Sequence, residues 1–156
     1  MKSGFTLDAI DRRILAALQA DGGLSHADLA ETVGTSTASC WRRIKALENA
    51  GILSGTVRLV DAEKVGRGVN VLCSIRVRSH AREVRTGFEE FVRGRPEIME
   101  CYSMSGDWDY LLRIVAADVS SYERFLMLTL LEHAAVATAS SHFALSLTKY
   151  TTAIPV

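Results

Sequence analysis

The first third of the chain places its apolar residues at helical spacing. Ile10, Ile14, Leu15 and Leu18 fall on one stripe, which predicts a helix over Leu7–Ala20 with Asp8 as an N-cap or first-turn acid. Asp21-Gly22-Gly23 stops it. Ser25 then caps a short helix over His26–Val33, with Asp28 three residues on as a shortened capping box. Gly34-Thr35-Ser36 reads as a tight turn, and a third helix runs from about Thr37 to Ala50, closed by Gly51 at the C′ position. Three short helices with a tight turn before the last form a helix-turn-helix, its unit at residues 26–45.

Beyond it, Ile52–Val60 reads as a strand or extended connector, and Asp61–Gly66 as a helical turn near a domain boundary. From Asn70 the period falls to two: Val71, Cys73, Ile75 and Val77 alternate with Leu72, Ser74, Arg76 and Arg78. Helical spacing returns over Ala81–Arg93 through Val84, Phe88 and Phe91. Strands follow at Ile98–Ser105 and Tyr110–Ala116, joined by the Gly106-Asp107-Trp108-Asp109 hairpin loop. Asp118 caps a helix reaching His133, with Tyr122, Phe125, Leu126 and Leu130 inward. A last strand over Ala139–Tyr150 sets Phe143, Leu145 and Leu147 on one face. The class is α+β: a three-helix domain at 1–60, with its connecting strand, and a ferredoxin-like βαββαβ domain at 61–156. Right-handed crossovers put both of the second domain's helices on one sheet face. The other face is left bare and apolar, which predicts a homodimer.

The third helix carries the candidate chemistry. Cys40, Ile44 and Leu47 recur at i, i+4 and i+7 and face inward, so Ala38, Arg42 and Lys45 project outward, flanked by Trp41 and Ser39. A helix that enters the major groove has small residues at its tip and long donors further along. Arg42 is therefore assigned to base edges, and Ser36, Thr37, Ser39, Arg43 and Lys45 to phosphates. Arg43 lies nearer the core side, where a structural ion pair competes with a phosphate contact. Trp41 is assigned to packing at the domain edge. The bland alternative for this whole face is a solvated basic stripe.

Composition narrows the remaining classes. With 48% apolar and 23% charged residues the 156-residue chain is globular, and its apolar runs are too short to span a membrane. Met1–Asp8 has no secretory h-region, so the cytoplasm is expected. Eighteen cations balance eighteen anions, yet over 35–58 Arg42, Arg43, Lys45 and Arg58 face Glu48 alone. Such a local basic patch on a neutral chain fits a small DNA-reading element. Cys40, Cys73 and Cys101 are widely spaced and read as small buried hydrophobes, not as a disulfide framework or metal site. His26, His80, His133 and His142 are also scattered. No catalytic residue, metal or cofactor is assigned.

Taken together, these segments resemble the leucine-responsive/asparagine regulator (Lrp/AsnC) family from Leu7 to Pro155. The resemblance is carried by Leu7–Leu15 with Leu18–Gly22, Leu29–Gly34, Cys40–Glu48 and Gly51–Gly55. In the second half it is carried by Phe88–Phe91, Pro96–Tyr102, Ser105–Arg113, Asp118 and Tyr122-Glu123. It implies a winged-type DNA-binding module at about 7–68 and a RAM-type C-terminal domain. That domain, by the resemblance, binds small molecules, usually amino acids, and assembles dimers into octamers or similar rings. The chain departs from the family's pattern at Thr35–Ser39, where members often carry a proline. It departs again at His133-Ala134-Ala135-Val136, where Leu-Pro-Gly-Val is usual, and over 137–141, which lacks a threonine at one position.

For an amino-acid effector, a zwitterion needs acceptors for its ammonium and donors for its carboxylate. Beside the Gly106–Asp109 loop, Asp107 or Asp109 would supply the first. Backbone N–H groups around Gly106, with the Ser140 or Ser141 hydroxyl, would supply the second, and Tyr102 and Met104 would wall the side chain. The competing view makes the loop plain hairpin chemistry, its acids solvated or pairing with Arg113. The expected function is a sequence-specific DNA-binding regulator acting on a roughly palindromic operator and modulated by an effector. Two rival readings are a tetrapyrrole decarboxylase, since related two-domain proteins do this with His and Arg, and a Cys-based sensor.

Overall fold

The computed structural model describes residues 5–156. It divides into two compact units, one of residues up to Arg58 together with Lys149–Val156, the other of Leu59–Thr148.

In the first unit, α1 (Ala9–Ala20), α2 (His26–Val33) and α3 (Thr37–Asn49) bury one seam: Ile14, Leu15, Leu29, Ala30, Val33, Cys40, Ile44 and Leu47. Each start is capped by a side chain, at α1 and α2 by the residues the sequence predicts. The Asp8 carboxylate accepts from the Ile10 and Asp11 N–H groups, and Asp11 returns a bond to the Asp8 N–H in a full capping box. At α2 the Ser25 hydroxyl accepts from Asp28 N–H and donates to the Asp28 carboxylate. Ser36 accepts from Ser39 N–H at α3. Gly34 and Gly51 end α2 and α3 with φ of +74° and +70°, a left-handed turn that a Cβ would disfavour.

Ile52–Val60 is the extended connector of the two alternatives; no strand is formed there. The tail differs from expectation. Residues 149–156, placed with the second domain by the sequence pattern, belong to the helical unit. The Gln19 side-chain amide donates to Ile154 O at 3.0 Å and accepts from Ile154 N–H at 2.6 Å.

The second unit contains β1 (Val69–Val77), α4 (Arg82–Arg93), β2 (Ile98–Ser103), β3 (Tyr110–Ala116), α5 (Val119–Phe125) and β4 (Val136–Phe143). The sheet is antiparallel with order β2-β3-β1-β4, the βαββαβ topology. Val71, Cys73, Ile75, Val77, Tyr110, Leu112, Ile114 and Ala116 are buried with Phe88, Tyr122, Phe125 and Leu130 of the helical layer. The opposite residues line an open face on which Leu72, Tyr102 and Met104 are exposed.

Two boundaries differ from those predicted. The helix expected to run to His133 gives way after Phe125 to a π-helical turn over Leu126–Leu130, closed by Leu131 N–H to Leu126 O. The final strand runs from Val136 to Phe143, not Ala139–Tyr150. It is an edge strand whose one partner, β1, begins at Val69. Its last links, Phe143 opposite Val71 and the bond from Ala144 N–H to Asn70 O, fall within two residues of that start, and the ladder ends there. Leu145 and Leu147 are consequently exposed.

Candidate functional site

On α3 the buried stripe is Cys40, Ile44 and Leu47, as the spacing predicts, so the outward side falls where the wheel puts it. Ser36, Thr37, Ala38, Ser39, Trp41 and Arg42 line one open concavity, and His26 at the start of α2 joins them. No carboxylate lines it. Arg42 is exposed and, among the described residues, holds no ion pair.

Its neighbour goes the other way. A single nitrogen of Arg43, Nη1, donates to Asp8 Oδ2 and Asp11 Oδ1, both at 2.7 Å. Arg43 is therefore a clamp between α3 and the α1 N-terminus, the structural ion pair of its two readings and not the phosphate contact. The physical reason is that Asp11 is almost fully buried and needs a cation. Asp8 is held below the ordinary carboxylate value of 3.8, first by the Asp11 N–H bond and then by Arg43. Lys45 is exposed but bonded to Glu48 at 2.7 Å, a surface pair that water screens and that opens at little cost.

Sequence reasoning missed His26; Trp41, assigned to packing at the domain edge, is half exposed and also lines the concavity. The signal for His26 was its place directly after the Ser25 cap.

The loop candidates of the second unit also separate. Tyr102, Met104, Gly106 and Asp107 are exposed, and Gly106 adopts φ of +108°, open to a backbone approach. Asp109 is not free: its Oδ2 accepts from Val77 N–H at 2.8 Å, and its Oδ1 lies 3.4 Å from His80 Nε2. The acid thus fastens the loop to the register shift at Arg76/Val77 in β1. Arg76 adds a second fastening, donating to Asp107 O at 2.7 Å with its guanidinium 5.1 Å from the Trp108 ring centroid.

Ser140 and Ser141 face opposite sides of the sheet. Ser141, opposite Cys73, sits on the helix side, with its hydroxyl 2.5 Å from Tyr122 OH and 3.9 Å from Cys73 Sγ. Burial raises both the Cys73 thiol and the Tyr122 phenol above their ordinary values. Ser141 therefore leaves the effector set and Ser140, opposite Ser74 on the open face, stays in it. Arg113 bonds to Glu100 at 2.9 Å, so the loop acids do not pair with it. Cys101, expected to be buried, is exposed, while Cys40 and Cys73 are buried.

A cation-bearing helix presented by a compact three-helix unit, in the same chain as an antiparallel sheet unit with a fastened loop, defines a two-domain helix-turn-helix regulator. Residues 7–54 match the winged helix-turn-helix DNA-binding family and residues 70–154 the Lrp/AsnC ligand-binding domain. The chain is 39% identical over 150 residues to the DNA-binding transcriptional activator DecR of Escherichia coli (strain K12), covering 96% of this chain and 99% of DecR. It is similar to the crystal structure of an AsnC family transcriptional regulator from Agrobacterium tumefaciens, with 44% identity and a TM-score of 0.91 over 96% of this chain and 97% of that one. A transcriptional regulator from Neisseria meningitidis, solved as its L-Met complex, gives a TM-score of 0.92 at 37% identity with the same coverage of both chains. The chain belongs to the Lrp/AsnC family and is a DNA-binding transcriptional regulator of that type. No helix among the described residues is long and apolar enough to cross a membrane.

Proposed function

We propose that this regulator reads its operator through Arg42 and changes its hold on DNA when an amino acid occupies the loop of the second unit. The observation that carries the DNA half is the split between Arg42, unpaired and exposed on the concavity, and Arg43, committed to Asp8 and Asp11. Arg42 contacts base edges. Ser36, Thr37 and Ser39 contact phosphates from the start of α3, and Lys45 turns from Glu48 to a phosphate when DNA is present. The test is Arg42→Ala, measured on operator and random duplexes at fixed salt. Loss of a bidentate guanine contact is worth about 1–3 kcal/mol on the operator and little on random sequence. Equal affinities before and after substitution sink the base-reading role.

The effector half rests on chemistry and on a likeness. Asp107 and Ser140 are the loop-side acceptor and donor left after Asp109 and Ser141 are committed elsewhere, with Tyr102 and Met104 beside them. The similar Neisseria meningitidis regulator was solved with L-Met. The exposed apolar face of the sheet pairs with a second copy, so the regulator works as a homodimer, itself a building block for octamers or similar rings. A two-fold dimer calls for a roughly palindromic operator. Coupling of about 1–3 kcal/mol between ligand and DNA shifts operator affinity about 5–150-fold. Calorimetry across the proteinogenic amino acids tests this, and silence at millimolar ligand ends it.

The function is regulatory, in the cytoplasm, with no reaction and no cofactor. His80 lies beside Asp109, the His133 ring packs on Phe91 and its Nδ1 accepts from Ala135 N–H, and His142 lies on β4. The three form no catalytic set.

A further inference from the structure

We propose a second small-molecule site in the sheet unit: a cavity at the C-terminal end of β3 that takes the zwitterion of a small α-amino acid. Its carboxylate goes to Arg67 and its ammonium to Glu97. The cavity measures about 80 Å³ and is lined by Arg67, Glu97, β3 residues 114–116, and Ser121, Tyr122 and Phe125 of α5. It lies at the other end of β3 from the Gly106–Asp109 loop, roughly 20 Å away at about 3.3 Å per strand residue. The inference does not depend on that loop holding an effector.

Three observations carry it. The first is charge. Arg67 and Glu97 both line the cavity, yet they form no ion pair with each other or with any other described residue. An unpaired cation and an unpaired anion on the walls of one cavity complement a molecule bearing both charges at short separation. The second is placement. Arg67 closes a helical turn over 61–66 by donating its N–H to Ala62 O at 2.7 Å, and Gly66 permits the reversal with φ of +70°. Glu97 is held through its carbonyl, which accepts from Val115 N–H at 2.9 Å, just before the register shift between Ile98 and Glu100. Both charged groups thus hang from fixed backbone. The third is size. At about 80 Å³ the space falls well below the roughly 300 Å³ at which pockets for drug-sized ligands begin. Ile114, Ala116 and Phe125 give it an apolar floor. The space suits glycine and alanine better than leucine, methionine or the aromatic amino acids. Ser121 of α5 adds a hydroxyl-bearing side chain to the wall.

The test is calorimetric titration of the full-length protein with glycine, L-alanine and L-leucine, repeated on Glu97→Gln, Arg67→Met and Asp107→Ala. Urea unfolding establishes that each variant is folded, and Ser121→Phe, which fills the cavity without touching either charge, serves as an independent block. Glycine and alanine binding that falls roughly tenfold or more in Glu97→Gln and Arg67→Met, is lost in Ser121→Phe and survives Asp107→Ala supports the site. Binding unchanged by the first two substitutions but lost in Asp107→Ala overturns it, and leaves the loop as the amino-acid site. No binding of glycine or alanine to the unmodified protein at about 10 mM also overturns it, whatever larger amino acids do at the loop.

Discussion

Two pairs of adjacent residues, one on the recognition helix and one on the last strand, divide in the same way. Arg42 and Arg43 sit side by side on α3, yet one faces an open concavity and the other is bonded to two carboxylates beneath it. Ser140 and Ser141 sit side by side on β4, yet one lies on the open face while the other is hydrogen-bonded to Tyr122 among buried residues. Side-chain chemistry is the same within each pair. What separates them is backbone rotation, about 100° per residue on a helix and 180° on a strand. A run of residues with suitable chemistry is therefore never one site: each step along it changes the partner, and one member of each pair is spent on holding the fold.

The largest expected effects sharpen the arginine pair. Arg43→Met leaves the Asp11 carboxylate, whose side chain is 7% exposed, without its cation. Removing one partner of a largely buried pair costs about 3 kcal/mol, read as a lowered urea midpoint. Arg42→Ala has no folded-state partner to lose and shifts stability by less than about 0.5 kcal/mol while it lowers operator affinity. If Arg42→Ala unfolded the protein as readily as Arg43→Met, the two residues would not hold the separate roles described.

The serine pair predicts the same split at smaller size. Ser141→Ala takes a hydrogen-bond partner from the buried Tyr122 hydroxyl, leaving the Cys73 thiol beside it, and costs about 1–2 kcal/mol. Ser140→Ala leaves the urea midpoint where it was and weakens amino-acid binding in calorimetry. An equal loss of stability in both variants would show that the strand parity does not set their roles.

These pairs also mark how far the sequence could be read. Periodicity located all three helices of the first unit and the buried Cys40, Ile44 and Leu47, because a local repeat determines which side of a helix is apolar. It located β1 and β3 for the same reason. It did not show that Arg43 closes on Asp8 and Asp11, because that pairing spans 35 and 32 residues and no local spacing encodes it. Asp109 was missed likewise: its partner, Val77 N–H, is freed by an irregularity in β1 that alternation does not reveal. The end of β4 was unreadable for a third reason. Alternation persists to Leu147, but a strand stops where its neighbour stops, and Val69 ends that neighbour. The return of the tail to Gln19 likewise follows from tertiary contact alone.

The smallest effect, and the one that compares the two units most directly, is their response to acid. In the sheet unit, burial and then the nearby Arg95 cation depress the His133 imidazole below its ordinary value of 6.5. The folded chain therefore refuses a proton that the unfolded chain accepts. Stability from this source is complete above pH 6.5 and falls as the pH drops toward the lower folded value. In the helical unit, the Asp11 N–H bond and Arg43 depress Asp8 below 3.8. Its contribution is intact above that value and is lost only as the pH falls through the folded one. The first loss thus begins near neutrality and the second in strong acid. The chain has two tryptophans, Trp41 in the helical unit and Trp108 in the sheet unit, so fluorescence can follow each unit separately. A Trp41→Phe variant, followed through Trp108, should lose urea resistance as the pH falls below 6.5, and His133→Asn should flatten that slope. A Trp108→Phe variant, followed through Trp41, should show no loss from His133 and decline only below about pH 4, with Asp8→Asn removing the decline. Coincident acid transitions at both tryptophans, unaltered by either substitution, would mean that other groups govern the response to acid.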